Sequence, residues 1–145
     1  MLLHQARDAT FRAREKELNK YGISTMKAAV LFTVQAIGHE ATPAEISRRL
    51  LRRSHGVSAL LDRMEKEGLV KRVKDLDRKN MVRGEITEKG YQAYNDSTRR
   101  ESIHRITSSL SEEERRQLKS WLLKLRDTAL QEPRISSKLP YPPSA

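Results

Sequence analysis

The 145 residues carry 29 Lys and Arg against 19 Asp and Glu, a formal charge of +10 and a pI near 10.1 on a chain of 16.7 kDa. A chain of this length suits one domain without separate cofactor and substrate lobes, and its positive balance puts polyanions, nucleic acid first, among the partners. With no cysteine, disulfides, thiolate metal sites and cysteine-based catalysis or redox sensing are excluded. A mean hydropathy of −0.74 and no apolar run approaching about 18 residues exclude a spanning helix. The opening MLLHQARDATFRAR holds too short an apolar stretch for a secretory signal, so a soluble, cytoplasmic protein with no membrane partner is expected.

Residues 2 to 20 set Leu3, Ala6, Thr10, Phe11, Ala13 and Leu18 among Arg, Glu and Lys, a rough helical stripe whose apolar face needs a partner. Gly22 breaks this helix and Ser24 caps the next, MKAAVLFTVQAI, which is apolar nearly all round, as a buried core helix should be. Gly38 closes it. Thr42-Pro43-Ala44-Glu45 then supplies an N-cap, a proline at the first helical position and the reciprocal glutamate of a capping box.

That third helix holds Ile46, Leu50 and Leu51 and gives way near Arg52-Arg53. Ser54 is placed to cap a fourth helix, with Val57, Leu60, Leu61 and Met64 at i, i+3, i+4 and i+7 and an end at Gly68. The period then changes. Leu69 to Val73 and Met81 to Ile86 predict two short strands around the polar loop Lys74 to Asn80.

Thr87 starts a further helix running through Tyr91, Tyr94, Ile103 and Ile106, weakened in the middle by Asn95, Ser97 and Thr98. Ser111-Glu112-Glu113-Glu114 marks a second capping box, with acids facing the positive helix end, before a last helix carrying Leu118, Trp121, Leu122 and Leu125. From Pro133 the composition turns to Pro and Ser, and 133–145 is expected to be a flexible tail. The expected fold is mainly α with a small β-hairpin wing.

Two helices joined by a short turn, followed by Gly and a basic hairpin, give the order of a winged helix-turn-helix. The second helix is about the width of the DNA major groove, and a hairpin beside it reaches the neighbouring minor groove. Charge is concentrated here: residues 43–90 hold thirteen Lys and Arg against eight Asp and Glu.

The stretch also resembles a family. Glu65-Lys66-Glu67-Gly68-Leu69-Val70-Lys71-Arg72, then Asp75-Leu76-Asp77-Arg78-Lys79-Asn80, then Ile86-Thr87-Glu88-Lys89-Gly90 are similar to the DNA-binding core of the MarR (multiple antibiotic resistance regulator) transcription factors. The likeness extends to a leading helix and two closing helices, covering nearly everything but the tail. Lys79-Asn80, where the family often shows arginines, and Gly84, which interrupts the second strand, depart from the pattern.

The resemblance implies a single domain over 1–132, with a winged-helix DNA-binding core over 24–90 and N- and C-terminal dimerisation helices over 1–21 and 91–132. It further implies a homodimeric repressor reading a pseudo-palindromic double-stranded DNA operator, released by a small aromatic or anionic effector bound where the arms meet the DNA-binding lobe. The alternative is a winged-helix protein-interaction module without specific DNA binding.

On these grounds Arg52 and Arg53 are phosphate clamps or merely solubilising charges. Ser54, His55 and Ser58 open the recognition helix, with Ser54 equally a plain cap and His55 otherwise just exposed. Arg78, Lys79 and Asn80 mark the wing tip, where Arg78 and Lys79 suit the minor groove. Arg72 is structural or phosphate-facing, and the resemblance gives one of Asp75 and Asp77 the task of orienting a wing arginine.

Leu3, Phe11, Leu118, Trp121, Leu122 and Leu125 are expected at a dimer seam, and Tyr21, Phe32, His104 and Trp121 around an effector. The four His fall singly, and no nucleophile elbow, P-loop or GxGxxG occurs. No enzyme, cofactor or metal site is expected.

Overall fold

In the computed structural model, which describes residues 1–74 and 81–132, helix α1 (Leu2–Asn19) leads into α2 (Thr25–Ile37) through a turn with Gly22 at φ +68°. Ser24 caps α2, its hydroxyl accepting from the Lys27 N–H at 3.2 Å, and a 3-10 turn over Gly38–Glu40 follows. The helix-turn-helix pair is α3 (Pro43–Arg49) and α4 (Ser54–Lys66). Strands β1 (Val70–Lys74) and β2 (Val82–Ile86) pair antiparallel with Val70 opposite Ile86 and Lys74 opposite Val82. Helices α5 (Glu88–Thr98), α6 (Glu101–Thr107) and α7 (Glu112–Leu130) complete the described chain.

The core lies between α2, α4 and the hairpin. Val30, Leu31 and Val34 of α2 meet Ile46 of α3, Val57, Leu60, Leu61 and Met64 of α4, and Leu69, Val70 and Ile86 around the strands, all buried. Each such side chain contributes about 1.5 to 3 kcal/mol through burial. The recognition helix is thereby held by its whole inner face.

Several local expectations are corrected. Ser54 does not cap α4: Arg53 occupies the N-cap position and Ser54 is the first helical residue, its hydroxyl 3.0 Å from that of Ser47 across the turn. Leu51 does not belong to the third helix, which ends at Arg49. Leu51 takes a left-handed φ of +51° and stays exposed, because the chain must reverse there to start α4.

Thr42 does cap α3, accepting from the Glu45 N–H, but the reciprocal half of the box is replaced. The Thr42 N–H goes to the Glu40 carbonyl at 2.7 Å, while the buried Glu45 carboxylate takes Arg48 Nη2 at 2.5 Å and Arg49 Nε at 2.9 Å. Gly84 does not interrupt β2. It sits inside the strand opposite Arg72, and its N–H donates to the Ala41 carbonyl at 2.8 Å, extending the sheet by one contact on its outer edge.

The helix expected to run unbroken from Thr87 past Ile106 is two helices, α5 and α6, separated at Arg100, whose φ is +50°. The capping box of α7 forms as expected: Ser111 accepts from the Glu114 N–H and the Glu114 carboxylate takes the Ser111 N–H at 2.7 Å. The bonds with Ser111, that from its backbone N–H first, outweigh the effect of burial and hold the Glu114 carboxyl below the usual carboxylate range.

Candidate nucleic-acid interface and effector cavity

A groove of about 700 Å³ runs between the start of α2 and one side of α4, lined by Met26 and Lys27 of α2, Arg52 and Arg53 of the turn, and His55, Gly56, Val57, Leu60 and Arg63 of α4, with Glu67 at its far end. Arg52, Arg53, Ser54 and His55 are exposed, so four of the expected DNA contacts stand together where the recognition helix begins. Ser58 is only half-exposed, and its carbonyl accepts from Arg72. Arg78, Lys79 and Asn80, with Asp75 and Asp77, lie outside the described residues.

Lys27 and Arg63 join this surface without having been marked in the sequence. Nothing local distinguishes them, since Lys27 is three residues into a core helix and Arg63 is one charge among many. Lys27 is anchored by Glu67, its Nζ 2.6 and 2.8 Å from the two carboxylate oxygens, which ties the start of α2 to the end of α4.

Arg72 is structural. Its Nη2 lies 2.5 Å from Asp62 Oδ1 and 3.2 Å from the Ser58 carbonyl, and its backbone N–H donates to Glu65 Oε1 at 3.0 Å. This one side chain fixes β1 to the middle of α4 and neutralises acids that would otherwise face a polyanion. Lys71 and Arg83 similarly straddle Glu85, at 2.7 and 3.2 Å, and hold its carboxyl below the usual range.

A second cavity, of about 640 Å³, opens where α1, α2, α5 and α6 meet. Leu18, Ala28, Ala29, Phe32 and Ile103 give it an apolar wall, and Arg100 and Lys119 line it together with Arg14, whose charge is paired with Glu17 at 3.1 Å. Of the residues expected around an effector, Phe32 lines this cavity, with Arg100 stacked 5.6 Å from its ring centroid. Tyr21, His104 and Trp121 are not among the lining residues: Tyr21 packs on the core with Arg99 5.7 Å from its ring, while His104 and Trp121 are exposed.

The arm is bare. No residue of α7 is buried, and Leu118, Trp121, Leu122 and Leu125 are 38%, 59%, 44% and 56% exposed, with Leu3 and Phe11 of α1 at 59% and 44%. Most of a helix's stability in a protein comes from packing such an apolar face.

A recognition helix seated on its apolar face, a reversed turn before it and a two-stranded wing after it define a winged helix-turn-helix protein. Comparison with known proteins narrows the class. Residues 21–79 match the MarR family model. The organohalide-sensing transcriptional regulator RdhR-CbdbA1625 in its ligand-free form is 32% identical, over 99% of this chain and 85% of that one, with a TM-score of 0.83. Its 2,4-dichlorophenol-bound form superposes with a TM-score of 0.79 at the same identity, over 97% of this chain and 85% of that one.

Staphylococcus aureus MepR in complex with DNA has the same fold at 24% identity, with a TM-score of 0.77 over 88% of this chain and 95% of that one. Among curated protein sequences nothing matches. The chain belongs to the MarR family of winged helix-turn-helix transcription regulators.

Proposed function

We propose that the protein is a homodimeric repressor that binds a pseudo-palindromic operator in double-stranded DNA and leaves it when a small aromatic or anionic effector binds. The observation that carries this reading is the groove between α2 and α4, where Lys27, Arg52, Arg53, His55 and Arg63 come together beside a helix whose inner face is buried. Arg52, Arg53, Lys27 and Arg63 meet phosphates, and Ser54, His55 and Ser58 stand nearest the base edges. Arg78, Lys79 and Asn80 enter the minor groove from the wing.

The dimer is formed by the arms, 1–21 and 91–132, which cover the stripe of Leu3, Phe11, Leu118, Trp121, Leu122 and Leu125. A contiguous apolar face of this kind is uncommon on a monomer. Dimerisation sets two recognition helices about 34 Å apart, one DNA turn, to read one face of the duplex.

Arg100 and Lys119 beside an apolar wall suit a phenolate or aromatic carboxylate, and the relative of 32% identity has a 2,4-dichlorophenol-bound form. Among the described residues no helix is long and apolar enough to cross a membrane, and a regulator of this kind works in the cytoplasm beside its DNA.

The test is a gel shift on DNA upstream of the protein's own gene at two salt concentrations, followed by titration of 2,4-dichlorophenol and aromatic acids into the complex. Specific retardation that weakens with salt is expected. Absent or sequence-blind binding would overturn the repressor reading in favour of a protein-interaction module.

A further inference from the structure

The break between α5 and α6 is where the chain leaves the winged helix for the arm, and the local sequence does little to hold it. Arg100 sits there in the left-handed region, at φ +50°, a conformation costing a non-glycine residue about 1 to 2 kcal/mol, and makes no side-chain cap to α6. The cap comes from 84 residues earlier in the chain. Glu17 Oε1 accepts the Glu101 N–H at 2.9 Å, and Oε2 accepts the Ser102 N–H at 3.1 Å together with the Ser102 hydroxyl.

Glu17 is 4% exposed, yet it remains a carboxylate. Burial by itself would raise its pKa, but the bonds from Ser102, Arg14 and Glu101 outweigh burial and bring it from 4.5 to about 2. Arg14, one turn earlier on α1, works on the other side of the break. It donates to the Ser97 carbonyl at the end of α5 and lies 3.1 Å from Glu17 Oε2. Arg14 and Arg100 also line the cavity between α1, α2, α5 and α6.

We propose that Glu17 and Arg14 form a latch in which the last two turns of α1 grip both sides of the α5–α6 break, setting the angle of the arm and hence the separation of the two recognition helices. A plain stabilising cap would hold α6 together without governing that separation. The effect on helix separation rests on the homodimer proposed above; the grip on the break does not.

Because the chain has no cysteine, Lys66→Cys on the exposed side of α4 accepts one spin label per protomer, and double electron–electron resonance reads the distance between labels in the dimer. Adding Glu17→Gln is expected to shift or broaden that distance and to speed amide exchange at Glu101 and Ser102 about tenfold, while the amides of Leu61 and Met64 stay protected. Ser102→Ala, which removes the hydroxyl but keeps the N–H, should move both readouts less and in the same direction.

An unchanged distance in Glu17→Gln, or exchange that rises equally across the whole winged helix, would overturn the latch. If Glu17→Gln does not fold, Ser102→Ala decides by the same two criteria. If the labelled parent shows no distance between protomers, the homodimer fails, and the exchange at Glu101 and Ser102 with and without Glu17 still decides whether α1 grips the break.

Discussion

The winged helix and the arms are built on opposite terms. In the former, α4 buries Val57, Leu60, Leu61 and Met64 against partners from the same chain; in the latter, α7 buries nothing and turns Leu118, Trp121, Leu122 and Leu125 outward. The first region is complete in one chain, whereas the second has the composition of a core and the exposure of a surface. A lesion in the first should therefore appear as unfolding, and a lesion in the second as a change in association.

The largest effect expected is at Gly90. A Cβ there would stand 1.9 Å from the Leu69 carbonyl oxygen and 2.7 Å from Ile86 Cγ2, where α5 begins against the hairpin. Neither a backbone carbonyl nor a buried side chain can yield that much, so Gly90→Ala should destabilise the winged helix by about 4 kcal/mol or more, read as a fall in the thermal midpoint. A melting curve like the parent's would mean that α5 is not seated as described.

Trp121→Ala sharpens the contrast from the other side. It should weaken self-association by about 2 to 4 kcal/mol in sedimentation experiments while the helical signal of a concentrated sample is retained. Loss of fold without any change in mass would show that α7 packs on its own chain.

Between the two regions lies Glu17, and pH separates its contribution. A carboxylate whose pKa is depressed by folding stabilises above its unfolded value, here near 4.5, and that stabilisation is lost as the pH falls toward about 2. The stability gap between the parent and Glu17→Gln should thus be full at pH 6, up to roughly 3 kcal/mol, and close between pH 4.5 and about 2. A gap independent of pH over that range would mean that the charge of Glu17 does not matter.

The smallest effect expected is in the groove. Arg53→Ala should weaken operator binding by about 1 to 3 kcal/mol and reduce its salt dependence, whereas Arg115→Ala, in the first turn of α7, should leave both nearly unchanged. Arg78→Ala is expected to act as Arg53→Ala does. Equal affinities for the Arg53 and Arg115 variants would remove the groove from the binding face.

Much of this was legible from residue types alone. Ser24, Thr42, Thr87 and Ser111 do cap helices, and Gly22, Gly38 and Gly68 do take positive φ at helix ends, because such signals act within a few residues of where they are written. The apolar spacing of α4 marked its buried face for the same reason, since 3.6 residues per turn is a property of the backbone. Of the groove's lining, Arg52, Arg53 and His55 could be grouped from the sequence because they lie next to one another along the chain.

Tertiary structure alone decided the rest, wherever a residue's partner is distant in sequence. Lys27 joined the groove through Glu67, forty residues on. Arg72 proved structural through its bonds to Ser58 and Asp62. The Tyr21, His104 and Trp121 expected around an effector are not among the lining residues, which include Arg14 of α1, Ser97 of α5 and Arg100 of the α5–α6 break, a meeting that no spacing announces. The helix that read as continuous from Thr87 to Ile106 is broken at Arg100 because a buried carboxylate from α1 satisfies the N–H groups that the break exposes, which helical propensity, a sum over neighbours, cannot register.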